Sequence, residues 1–96
     1  MLILITYDVS TVEQAGRRRL RRVARACSDY GTRVQKSVFE CQIDLAGMED
    51  IERRLLREIE LGQDCLRLYR MADTRGCEVR EHGRFKATDF DEPLVL

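Results

Sequence analysis

The sequence predicts an α+β domain that runs strand, helix, strand, strand, helix, strand and closes on one further strand. Three observations carry the prediction. Residues 2 to 8 are an unbroken apolar, β-rich run. Two later stretches switch to helical periodicity. Between them, residues 33 to 43 alternate as a hairpin does. At 96 residues the chain is a single domain, with its core over about residues 1 to 72 and a terminal strand and tail over 73 to 96.

In the first strand, alternation puts Leu2, Leu4, Thr6 and Asp8 on one face and Ile3, Ile5 and Tyr7 on the other. Over residues 13 to 30, Leu20, Val23, Ala24 and Cys27 form an i, i+3, i+4, i+7 stripe that marks the buried side of a helix. Ser10 or Thr11 is placed to cap its start and Gly31 to close its end. At 100° per residue, Arg18, Arg22 and Arg25 lie opposite the stripe, Arg21 lies beside them, and Arg17 and Arg19 fall on the flanks. In the hairpin a short arm ends near Gln35, Lys36-Ser37 turns, and a longer arm reaches Ile43, with Phe39, Cys41 and Ile43 on one face. The second helix covers residues 46 to 60, with Met48, Ile51, Leu55 and Ile59 inward and Glu49/Arg53 and Asp50/Arg54 as i, i+4 pairs. Residues 64 to 72 alternate as a fourth strand, and 78 to 83 as a short fifth.

This order is the split βαβ, ferredoxin-like arrangement, βαββαβ with an additional C-terminal strand. Its two helices cover one face of the sheet and leave the other bare. The early part of strand one is apolar on both faces, and a small chain gains useful burial from a partner. Leu2 and Leu4 therefore predict a homodimer made sheet to sheet.

Composition excludes several classes of function. No apolar run approaches the roughly 20 residues that cross a bilayer. The N-terminus has no basic region and no small-residue cleavage site, so no membrane association and a cytoplasmic location are expected. The four cysteines stand far apart without a close pair, which argues for reduced thiols and against a zinc site. The one histidine, His82, lies in a charged stretch that suits a strand better than a ligand set. Net charge is zero, yet residues 11 to 36 carry a balance of +6 and residues 37 to 64 one of −5. A basic block of this kind suits an anionic partner, and Arg18, Arg22 and Arg25 would make sequence-independent, salt-sensitive phosphate contacts.

Asp8 ends an apolar strand just before a turn. On the residues alone two readings stand. An aspartate there caps a turn or helix in most proteins. Brought beside its copy by a twofold axis, it can instead supply one of two carboxylates to Mg2+ or another divalent cation, which keeps waters in its other positions. Such an ion can polarise a phosphodiester. No Ser/His/Asp set, glycine-rich phosphate loop or metal-spaced histidines compete.

Thr6-Tyr7-Asp8-Val9, the arginine-rich first helix, Tyr30-Gly31 and the octapeptide Arg33-Val34-Gln35-Lys36-Ser37-Val38-Phe39-Glu40 resemble the CRISPR-associated protein two family over residues 1 to 72. This is the small partner of the CRISPR integrase in spacer acquisition. The wording of the helix and hairpin is most similar to members that accompany type I-C systems. The resemblance implies a ferredoxin-like homodimer whose terminal strand crosses onto the partner's sheet. It also implies a metal-dependent endonuclease acting on RNA or DNA, with Asp8 as metal ligand and catalytic residue. Tyr7 matches the family tyrosine before that aspartate. Arg18 or Arg19, Arg33, Ser37 and Phe39 match positions tied to the site or to the fold and interface, so that Arg19 and Arg33 join Arg18, Arg22 and Arg25 as expected nucleic-acid contacts, with Tyr7, Ser37 and Phe39 in support. Two functions are compatible with these residues: a Mg2+-dependent nuclease with arginines holding the nucleic acid, and a non-catalytic, DNA-gripping adaptor that scaffolds the integrase.

Overall fold

The computed structural model describes residues 1–72 and 76–84. The predicted tail over 73 to 96 therefore lies largely outside the described residues. The elements are β1 (Leu2–Asp8), α1 (Gln14–Ser28), β2 (Thr32–Gln35), β3 (Val38–Gln42), α2 (Leu45–Glu58), β4 (Cys65–Ala72) and β5 (Gly76–Gly83). They form one antiparallel sheet in the order β2-β3-β1-β4-β5, the predicted ferredoxin-like topology with an added strand. β1 is central, with Ile5 opposite Phe39 of β3 on one side and Leu68 of β4 on the other.

One face of the sheet makes the core with the helices. Ile3, Ile5 and Tyr7 of β1, Phe39 and Cys41 of β3, and Leu66 and Leu68 of β4 are buried with Val23, Ala26 and Cys27 of α1 and Met48, Ile51 and Leu55 of α2. The inward residues of α2 match the predicted stripe. In α1 the stripe is rotated: Ala26 is buried, and Leu20 and Ala24 pack only partly against the core. On the other face Leu2, Leu4 and Thr6 are half-buried within their own chain. Register puts Val38, Tyr69, Met71 and Val79 on that same face, which neither helix covers.

Three details differ from the sequence reading. Neither Ser10 nor Thr11 caps α1; the N-cap is Glu13, without a side-chain bond. The loop after β1 is held elsewhere, because the Ser10 amide donates to Asp64 at 3.0 Å, and the helix starts only after it. Helix α2, by contrast, has a side-chain cap: Asp44 accepts from the Gly47 amide at 2.7 Å. Much of the charge on α2 bonds across elements: Arg54 pairs with Asp29, Glu58 with Arg22, and Glu52 with Arg80 and His82. Arg53 does pair with Asp50, one residue closer than predicted. Finally, β5 lies on β4 of its own chain over eight register pairs, where the resemblance implied a strand crossing to a partner.

Gly31 is needed for a different reason from the one expected. The C-cap of α1 is Asp29, and Gly83 is the glycine at positive φ among the described residues. A Cβ at position 31 would sit 2.2 Å from the Glu40 carbonyl oxygen and 2.5 Å from Cys41 Sγ. The residue lets the chain leaving α1 pass against β3. Gly31→Ala is therefore expected to cost about 2 kcal/mol, which for a chain this small lowers the Tm by about 10 °C. Thermal unfolding followed by circular dichroism checks it, and a wild-type Tm contradicts the close-approach account.

Candidate active site and nucleic-acid interface

Asp8 is where the sequence placed it, the last residue of the central strand. Its register partner in β4 is Cys65, while the β1–β3 ladder has already ended at Thr6 and Val38. It alternates with buried Tyr7 and so belongs to the uncovered face. Its carboxylate is exposed and takes part in no hydrogen bond or ion pair among the described residues. At the same end of the sheet lies the hairpin turn, whose Ser37 carbonyl accepts from the Tyr7 amide at 3.2 Å.

The other residues singled out in the sequence divide into two groups. Tyr7 and Phe39 face the helices. Their rings stack with centroids 6.2 Å apart, and the Arg33 guanidinium lies over Phe39 at 5.2 Å. The Tyr7 hydroxyl donates to the Lys36 carbonyl at 3.4 Å, and burial pushes its pKa up against the opposing effect of Arg33. These three brace the end of β1 from behind. They do not share a face with the Asp8 carboxylate. The second group is the outer face of α1. Arg18, Arg21, Arg22 and Arg25 line one shallow concavity, and all four are exposed. Arg22 is also tied to Glu58 at 2.6 Å, a surface pair that holds the side chain in place more than it stabilises the fold.

Arg19 is set apart from the other arginines. Its Nε donates to Asp64 Oδ2 at 2.9 Å and its terminal nitrogen to Oδ1 at 3.2 Å, with 12% of the side chain exposed. Its flank position on the helix turns it toward β4, away from the concavity. The guanidinium is committed to an internal ion pair, and of the two arginines that the motif left open, Arg18 alone is on the outer face.

Asp64 was missed by the sequence reading. It is fully buried, and its carboxylate accepts four N–H bonds: two from Arg19, one from the Ser10 amide at 3.0 Å and one from the Glu60 amide at 2.8 Å. Burial alone would push the Asp64 carboxyl up. The Arg19 guanidinium and the two amides outweigh it and hold the group below the usual carboxylate range. An acid between a Gly62 turn and an apolar strand, with a flank arginine on the first helix, is the faint signal that pointed to it.

A cation on Asp8 is compatible with the chemistry present. The carboxylate is accessible and is paired with no cation among the described residues. One protein chain offers no cluster of three or more metal-ligating side chains among the described residues, so a hydrated ion such as Mg2+ fits better than one needing a protein cage.

The model of the family CRISPR associated protein Cas2 matches residues 1–76. The chain belongs to the Cas2 family. It is 51% identical to CRISPR-associated endoribonuclease Cas2 1 of Moorella thermoacetica over 96 residues, with both chains covered in full. It is 42% identical to CRISPR-associated endonuclease Cas2 of Halalkalibacterium halodurans, again over the whole of both. Among solved structures it is similar to the crystal structure of Streptococcus pyogenes Cas2 at pH 6.5, with TM-score 0.70 and 49% identity, covering 77% of this chain and 89% of that one. The nuclease reading of the sequence agrees with the names of these Cas2 relatives.

The Asp64 geometry makes a prediction about acid stability. Because the folded-state pKa lies below the unfolded value of about 3.9, folding is favoured above that pH. The contribution is fully present at neutral pH and is lost as pH falls below about 4 and through the folded pKa. Asp64→Asn is expected to cost about 3 kcal/mol at pH 7 and to flatten the acid limb of stability against pH. Urea unfolding at pH 7 and at pH 3 measures both, and an undiminished acid limb in the variant would remove Asp64 from it.

Proposed function

We propose that this chain is a metal-dependent nuclease that cleaves DNA or RNA as a sheet-to-sheet homodimer, with the two Asp8 carboxylates brought together at the twofold. The observation that carries this reading is Asp8 itself: an exposed carboxylate without hydrogen bond or ion pair among the described residues, at the end of the central strand, on the face the helices leave uncovered. The face bears Leu2, Leu4, Val38, Tyr69, Met71 and Val79, enough apolar surface to favour a second copy. Pairing would give two carboxylates to Mg2+ or another divalent cation, which when bound supplies Lewis-acid polarisation of a phosphodiester. The chain's own contribution is to hold the carboxylates at a fixed separation and to bind the backbone through Arg18, Arg21, Arg22 and Arg25. Such contacts position a nucleic acid without reading its sequence. In the cell this activity would serve spacer acquisition in the cytoplasm, beside the CRISPR integrase.

A second reading, the non-catalytic adaptor, draws on one observation. The arginine concavity is on the outer side of α1, and Asp8 is on the opposite side of the sheet. Arg25 lies seven residues beyond Arg18, roughly 10 Å farther along the helix axis. A duplex gripped along that face need not pass Asp8, so binding and cleavage are separable.

Two experiments follow. Asp8→Asn is expected to lower cleavage by roughly 100-fold or more, with the dimer intact by light scattering. Cleavage at the wild-type rate would leave the adaptor. Changing Arg18, Arg22 and Arg25 together to Ala is expected to weaken duplex binding and reduce the slope of log affinity against log salt by about 2 to 3. An unchanged slope places the nucleic acid on another surface.

A further inference from the structure

The uncovered face, the arginine concavity and the Glu52–Arg80–His82 cluster each explain part of the fold or of the reading above. The buried carboxylate of Asp64 does more than hold an ion pair. It ties the strand beside Asp8 to the chain just beyond it. Asp64 is covalently joined to Cys65, the register partner of Asp8 across β1 and β4. Its side chain accepts from the amide of Ser10, two residues beyond Asp8. The remaining bonds fix Asp64 itself: Arg19 and the Glu60 amide on the carboxylate, its own amide to the Glu60 carbonyl at 2.8 Å, and its carbonyl taking the Arg84 amide at 2.9 Å. Gly83, at φ +100°, packs so closely on that carbonyl that a Cβ would lie 2.0 Å from it.

We propose that Asp64 is a positioning residue for Asp8, fixing where the carboxylate stands at the end of the strand. This rests on the reading of Asp8 as the metal ligand. Among the described residues the exposed Asp8 side chain has no hydrogen bond or ion pair to hold it, so its place is set by backbone. β1 has lost its β3 partner by this point, and the Ser10–Asp64 bond restrains the loop immediately after it. A twofold repeats any displacement of one carboxylate in the other, so loosening acts twice on their separation. Reacting groups misplaced by about 1 Å can lose about 100-fold in rate. An asparagine cannot take over the role. Asp64 accepts on both oxygens, and an amide would turn one of them into a donor facing N–H groups.

The test separates placement from stability. Mn2+ alone is the probe, and its binding to the full-length wild-type dimer is followed by the loss of the free-ion electron paramagnetic resonance signal. The variants are Asp64→Asn, Asp8→Asn, and Ile51→Val as a core-destabilising control, all at a temperature where each is folded by circular dichroism. Asp64→Asn is expected to weaken Mn2+ binding at least tenfold and to raise by a similar factor the Mg2+ concentration for half-maximal cleavage. Ile51→Val is expected to leave both unchanged. Wild-type Mn2+ affinity in Asp64→Asn, with binding lost in Asp8→Asn, overturns the positioning role and leaves the Asp8 reading standing. Equal binding by wild type and Asp8→Asn instead overturns the Asp8 reading, and the inference with it. Should Asp64→Asn not fold, Ser10→Pro deletes the donor and leaves the Asp64–Arg19 pair in place. The same tenfold loss is expected of it, and wild-type binding overturns the inference.

Discussion

The Asp64 carboxylate stands where three pieces of chain meet: the loop leaving β1, the first half of α1 and the turn entering β4. Four N–H bonds converge on its two oxygens, from Ser10, Glu60 and twice from Arg19. A buried charge with fewer partners would be costly, because water no longer solvates it. Here three of the four bonds also join elements distant in sequence, so satisfying the charge and closing the fold are the same event. The consequence reaches the surface. The restrained loop begins one residue after Asp8, whose exposed side chain makes no hydrogen bond or ion pair among the described residues, so on the proposed reading it takes its position from that loop.

The sheet divides the molecule into two working sides. Toward the helices, Tyr7, Phe39 and Arg33 form a packed stack behind the end of β1. On the far surface of α1, four arginines present positive charge to solvent. On the opposite side, Asp8 stands among residues that alternate into the uncovered face with Leu2 and Leu4. The same period-two alternation that buries Tyr7 thus exposes Asp8. On the proposed reading, grip and chemistry fall to different layers of the fold.

Most of the fold was legible in the sequence because its signals are local. The two-sided apolar run of β1, the turn at Lys36-Ser37 and the stripe Met48, Ile51, Leu55, Ile59 each reflect a periodicity confined to a few residues. Asp8 was legible as a position, since a polar residue ending an apolar strand is visible without a structure. Asp64 was not, because the donors that make it important come from 45 and 54 residues away. The helical wheel already set Arg19 on a flank, apart from Arg18; its capture by Asp64 escaped for the same reason, because only the place of β4 brings that carboxylate to it. Gly31 was recognised as necessary but for a backbone angle, whereas its constraint is the approach of β3. Contacts between elements, not the elements themselves, are what the linear pattern left open.

The central claim is that one site is shared between two chains, each giving a single Asp8. A purified mixed dimer, one wild-type chain and one Asp8→Asn chain carrying different tags, tests it most directly. The account predicts that cleavage by the mixed dimer falls nearly to that of the doubly substituted dimer, because half of the carboxylate pair is missing. Cleavage at half the wild-type rate would show that each chain works alone, and would contradict the shared site.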